Sequence, residues 1–219
     1  MELISLKYAI FVIVLLVLYY CFPKKYRWYV LLAGSMAYYV IICKWYVLFI
    51  IFTICTTYGS TIWIDKLLKK QNAIVKSHKE DWDRQTRKDY KEKGRKKRVA
   101  VMLFALLCNF GILAFLKYIP YAGELGLLLP LGISFYTFQS MGYVMDVYRE
   151  IVEPEKNFLK VALFVSFFPQ IIQGPIAIYD KLAGQLYEGH YLRLENLQKG
   201  ALLVLWGVMK KLVIADRAV

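Results

Sequence analysis

Histidine is nearly absent from this chain. His78 and His190 are the only two among 219 residues, and neither lies in an apolar run. There is no HExxH pair, no GxSxG elbow and no GxxxxGK[ST] loop. The local signatures of zinc peptidases, serine hydrolases and P-loop enzymes are therefore missing. Cysteine is sparse as well. Cys21, Cys43, Cys55 and Cys108 stand far apart, none in a CxxC spacing, and read as small apolar packing residues rather than metal or redox groups. Acidic residues are few, 16 against 29 Lys and Arg. No carboxylate falls in the middle of an apolar run, and no hydropathy pattern repeats. Both absences weigh against an ion-coupled transporter.

What is present is apolar sequence in long runs. The chain is 59% hydrophobic and 16% aromatic, above the composition of soluble domains. A membrane helix needs about 20 mostly apolar residues. Spans are expected at about 3–22, 28–43, 45–64, 99–119, 128–147, 158–178 and 200–215, the last two doubtful as simple crossings. The expected fold class is an all-α, polytopic integral membrane protein of the cell membrane, with the bilayer as its first partner. No A-x-A-like site follows the run Tyr8–Phe22, so that run reads as an uncleaved span.

The positive charge is concentrated in 65–98, which holds fourteen Lys and Arg against six Asp and Glu. A basic polar stretch between apolar runs is what a cytoplasmic loop carries. Acid-before-base pairs at i,i+4 (Glu80–Arg84, Asp83–Arg87, Asp89–Lys93, Glu92–Lys96) predict that this loop is helical. It is either a solvated, topology-setting segment or a headgroup-binding surface. Its carboxylates are interleaved and its only aromatics are Trp82 and Tyr90, so no nucleic-acid partner is expected.

Three segments break the apolar rule. In Leu129–Arg149 (LPLGISFYTFQSMGYVMDVYR), Gly132, Tyr136, Gln139, Tyr143 and Asp146 recur at helical spacing and form one polar stripe. Such a stripe either binds neighbouring helices or lines a polar cavity. Asp146 is expected to pair with Arg149. The second segment, FVSFFPQIIQGP, has Pro169 and Pro175 flanking Gln170 and Gln173. The prolines predict a broken helix, either lining a cavity or lying just outside the membrane. In the third, LWGVMKKLVIADR, Lys210 and Lys211 interrupt an apolar run. They either snorkel to an interface or face an anion.

Together these three motifs, in this order, resemble the membrane-bound O-acyltransferase family. They are most similar to its bacterial polysaccharide O-acetylation branch, of the alginate-acetylation type. The resemblance implies a ring of tilted membrane helices around a funnel. It implies an acetyl group moved from a cytoplasmic thioester donor, acetyl-CoA, toward an extracytoplasmic polysaccharide, with a secreted or membrane-anchored acetyltransferase as partner. Tyr136, Gln139, Tyr143, Gln170 and Gln173 would line the funnel, and Lys210 and Lys211 would face the anionic donor. The family's catalytic histidine, in a WRRWH-like segment, has no counterpart here, so no catalytic residue, metal or bound cofactor is assigned to this chain. The expectation is the N-terminal half of such an enzyme, inactive alone. A D-alanyl transferase of the same family, a transporter-like protein and a non-catalytic membrane subunit are the alternatives.

Overall fold

The computed structural model describes residues 6–78, 82–118, 130, 132–172 and 176–214. Among them there is helix and no strand. The chain divides into two compact units, 1–30 with 188–219, and 31–187.

The first unit carries helix α1 (Leu6–Cys21), the start of α2 (Arg27–Cys43) and helix α9 (Leu194–Met209), which runs into a π-helical turn at Lys210–Ile214. Pro23 ends α1 with an extended backbone and opens a short 3-10 turn. A polar tie holds that turn to 189–191. Arg27 donates to the Phe22 and His190 carbonyls. The Lys24 ammonium lies over the Tyr191 ring, 3.0 Å from its centroid. Hydrogen bonding and charge from Lys24 pull that phenol below its ordinary range. His190 contributes its backbone to this tie, and its side chain is exposed.

The second unit is built on two long helices, α3 (Val47–Ser77) and α4 (Arg84–Tyr118). Their apolar halves correspond to two expected spans, and the segment Lys24–Ser77 and α4 are each long and apolar enough to cross a membrane. The polar interval 65–98 extends both helices well beyond those spans, as its charge spacing predicts. Glu92 pairs with Lys96 at 3.1 Å, and Asp65 with Lys69 at 2.5 Å. Asp89 instead accepts from Gln85 at 3.1 Å, and Glu80 lies outside the described residues. Gly94 sits inside α4, where glycine costs about 1 kcal/mol relative to alanine. The reason is spatial. A Cβ there would come within 2.5 Å of the buried Gln71 side chain on α3. Gln71 donates to the Lys91 carbonyl at 3.0 Å and accepts from Arg98.

Helix α5 (Ile133–Tyr148) packs against α3 and α4. Beyond it come α6 (Phe158–Ser166), α7 (Phe168–Ile172) and α8 (Tyr179–Tyr187). Asn157 caps α6, its Oδ1 accepting from the Leu159 amide at 3.0 Å. Every residue from Val161 to Ser166 is buried, with α3, α5 and α8 around it. At 9 residues, α6 is about 14 Å long, less than half the hydrocarbon thickness. Segment 158–178 therefore contains an enclosed half-helix rather than a full crossing.

Two details correct the sequence reading. The break falls at Phe167 (φ −59°, ψ 105°), one residue earlier than Pro169 alone suggests. Pro169 occupies the first turn of α7, where its missing N–H has no intrahelical role. And Asp146 forms no ion pair with Arg149. The end of α5 instead uses its backbone, with the Ile151 amide bonding the Asp146 carbonyl at 3.0 Å and Glu150 at φ 62°.

Candidate functional site

The polar stripe of α5 is buried and faces protein, except at Asp146, which is half-buried. Tyr136, Thr137, Gln139, Ser140 and Tyr143 are all inaccessible, while Phe138 on the opposite side is 46% exposed. Gly132 does not belong to the stripe. It is the residue before the helix, at φ +68°, and a Cβ there would come within 2.3 Å of the Ile171 backbone oxygen. A residue without a side chain is required on both counts. Through this contact the LPLG motif is seated directly on the FFPQII motif.

Gln139 acts on the helix break. In a continuous helix the Phe164 carbonyl would accept from the Phe168 amide. The turn at Phe167 removes that donor, and the Phe168 amide goes to the Ser35 hydroxyl at 3.4 Å. The freed Phe164 carbonyl accepts from Gln139 Nε2 at 2.8 Å. A buried carbonyl left open costs about 1–3 kcal/mol, so Gln139 holds α5 to the end of α6.

Tyr143 serves the other end of α6. Its hydroxyl accepts from the Glu155 amide at 2.8 Å, and its ring stacks on Tyr179 with centroids 4.2 Å apart. Glu155 accepts from the Asn157 amide at 2.9 Å and lies 3.8 Å from Lys160. Tyr187 closes the group by donating to the Lys160 carbonyl at 2.8 Å.

Tyr136 is placed differently. Its ring meets Tyr39 of α2 edge-on at 6.2 Å, and the two phenols approach without a well-formed hydrogen bond. Gln170 Oε1, Ser166 Oγ, Thr57 Oγ1 and Asn109 Oδ1 are also buried without a partner. Buried polar atoms are ordinarily satisfied. A concentration of unsatisfied ones in one unit marks where water or a polar ligand completes the structure. Gln173 lies outside the described residues. Lys210 and Lys211 belong to the first unit, where the Lys210 ammonium lies 5.3 Å from the Trp206 ring centroid.

Two further polar faces escaped the sequence reading. On α3, Thr53, Thr57, Ser60 and Thr61 are buried; on α2, so are Ser35, Tyr38 and Tyr39. Both recur at helical spacing, the signal that identified α5, inside runs read as plain spans. Asn109, 2% exposed in the apolar half of α4, donates to Thr56 and to the Ala105 carbonyl, each at 2.9 Å. The seam thus offers hydroxyl and amide groups, with no histidine. Among the described residues no three His, Cys, Asp or Glu converge to hold a metal. Such a lining can position a polar group, but it lacks a general base of suitable pKa.

Among the described residues the class is thus all-α, with a buried polar seam and two helices long and apolar enough to cross a membrane. Comparison with known proteins adds the chemistry of its relatives, and it bears out the resemblance read from the three motifs. The chain is 32% identical over 153 residues to a peptidoglycan O-acetyltransferase of Helicobacter pylori, covering 52% of this chain and 29% of that protein. It is 40% identical over 89 residues to a "Probable alginate O-acetylase AlgI" of Pseudomonas syringae pv. tomato, covering 41% of this chain and 17% of the relative. The corresponding Pseudomonas aeruginosa protein is 38% identical over 90 residues, with the same coverage. The matches thus span well under a third of each of these relatives. No protein-family model and no solved structure matches the chain.

Proposed function

We propose that this chain is the N-terminal part of a multi-pass membrane O-acyltransferase, with the α5 seam and the α6–α7 break forming part of the wall of an acyl-transfer funnel. The observation that carries the reading is the similarity to relatives named as O-acetylases of alginate and peptidoglycan. The polarity of the second unit supports it. Hydroxyls and amides point inward, while Leu48, Phe104 and Leu107 are more than 60% exposed. That arrangement suits hydrocarbon surroundings rather than water.

In this reading acetyl-CoA delivers the acetyl group from the cytoplasm; an acceptor hydroxyl gives its proton to a base and attacks the thioester carbonyl, the C–S bond breaks, and CoA leaves as the reprotonated thiol. The family resemblance implies a histidine as general base for that step, and neither His78 nor His190 lies in the buried seam. Tyr136, whose hydroxyl has no well-formed hydrogen bond, and Gln170, whose Oε1 has no partner, are the residues placed to orient the acyl carbonyl or the acceptor. Gln139 and Tyr143 hold the wall in shape. The product is an acetylated extracytoplasmic polysaccharide, made with a secreted or membrane-anchored partner transferase.

The test is incorporation of labelled acetate into extracellular polysaccharide. Cells expressing the 219-residue chain are compared with cells expressing it together with the coding sequence that follows Val219. Incorporation only in the second culture is expected. Transfer by the 219-residue chain alone would overturn the assignment of the base to another segment. In a parallel culture fed labelled D-alanine, incorporation of that label and not of acetate would move the chain to the D-alanylating branch.

A further inference from the structure

The polar extensions of α3 and α4 enclose a second site, remote in sequence from the α5 stripe. A cleft of about 520 Å³ opens between them beside Glu150. Lys88, Lys91, Arg95 and Arg98 line it from α4, and their 3-4-3 spacing places all four on one helical face. The two carboxylates that reach the cleft are partly engaged. Glu92 is held by Lys96 at 3.1 Å, and Glu150 lies 3.8 Å from Arg98. Lys88, Lys91 and Arg95 have no carboxylate within ion-pair reach among the described residues.

The cleft is built rather than incidental. Arg98 is 8% exposed, and its Nε has no hydrogen-bond partner. Its guanidinium is aimed by Gln71 on one side and Glu150 on the other. Gln71 is itself locked to the Lys91 carbonyl, and it fits there because Gly94 has no side chain. Arg98 is desolvated and incompletely bonded, and three exposed cations share its face, so an anion in the cleft would offset both the burial of Arg98 and the repulsion among the four. Guanidinium forks beside flexible ammonium groups match the several oxygens of a phosphate.

We propose that this cleft binds a phosphate-bearing ligand, through Arg95 and Arg98 as directed donors and Lys88 and Lys91 as mobile charges. The phosphate is carried either by a soluble nucleotide or by an anionic lipid headgroup. The site stands on its own geometry, whether or not the chain takes part in acetyl transfer.

The full 219-residue chain, reconstituted in phosphatidylcholine nanodiscs, is titrated with adenosine 3′,5′-bisphosphate. A parallel sample in nanodiscs containing phosphatidylglycerol is scored for lipid retained after exchange, by native mass spectrometry. The double variant Lys91→Gln/Arg95→Gln changes two exposed residues of the cleft. Lys93→Gln/Lys97→Gln removes the same charge from exposed positions of the same helix that do not line it. The proposal expects binding of one probe, weakened at least tenfold by the first double variant and less than twofold by the second. Saturable nucleotide binding identifies the soluble source; selective phosphatidylglycerol retention identifies the lipid. Equal weakening by both double variants would reduce the effect to general charge and overturn the site, as would failure of both probes. Circular dichroism of each variant checks that α4 is intact.

Discussion

Helices α5 and α9 are each 16 residues long and largely apolar, α5 through Tyr, Phe, Met and Val and α9 through Leu and Val. They differ completely in burial. Nine residues of α5 are buried, the polar ones foremost, whereas no residue of α9 is. Leu202, Leu203 and Leu205 of α9 are each more than 60% exposed. A largely apolar sequence therefore does not by itself decide which helix a protein encloses. Helix α5 carries hydroxyl and amide groups that need partners: Gln139 takes the carbonyl at the helix break, Tyr143 the Glu155 amide, and Ser140 the Tyr136 carbonyl of its own helix. Helix α9 carries its polar residues, Glu195, Asn196, Gln198 and Lys199, in its first two turns and is apolar beyond them.

The largest effect expected from breaking this contrast is at Gly132. Alanine there adds the left-handed backbone cost, about 1–2 kcal/mol, to a collision with the Ile171 backbone. A total loss above about 3 kcal/mol is expected, seen as failure to purify as a monodisperse species in detergent. A Gly132→Ala protein that melts like the parent would show that the motif contact is not needed.

Gln139→Leu comes next. It keeps the volume and leaves the Phe164 carbonyl open, for an expected loss of about 1–3 kcal/mol in thermal denaturation. Gln139→Glu, which as a carboxylate offers no donor, should not rescue it. A smaller loss, about 1–2 kcal/mol, is expected for Tyr143→Phe, which keeps the stack on Tyr179 but removes the acceptor for the Glu155 amide. Hydrogen exchange at Glu155 and Asn157 should rise in that variant while exchange in α4 stays unchanged.

The smallest effect is expected in α9. Leu203→Ala should change stability by less than about 0.5 kcal/mol, as for an uncovered side chain. A loss near the 2–5 kcal/mol typical of a buried leucine would mean that a partner covers α9, and the contrast with α5 would collapse.

The stripe on α5 was legible because hydrophobic sequence makes polar recurrences conspicuous. The same periodicity on α2 and α3 was not used, because serine, threonine and tyrosine are tolerated in apolar helices and their spacing alone names no partner. The helical nature of 65–98 was legible from its charge pairs. The cleft that it forms was not, since Gln71 and Arg98 are 27 residues apart and meet only when α3 and α4 run side by side. Gly132 was misread for a related reason: a glycine at stripe spacing resembles a small interface residue until its positive φ is known.

By itself, the sequence determined the all-helical class, the long apolar elements, the polar face of α5, the break near the FFPQ motif and the resemblance to polysaccharide O-acetylases. These follow from periodicity, proline chemistry and motif order, all local in the chain. Tertiary structure alone decided that Gln139 repairs the carbonyl freed at Phe167, that Tyr143 anchors the start of α6, and that the Tyr136 ring is set edge-on against Tyr39. Those outcomes depend on which donors and acceptors become neighbours after packing. Hydrogen bonding acts over about 3 Å, a distance fixed by the fold and not by position along the chain.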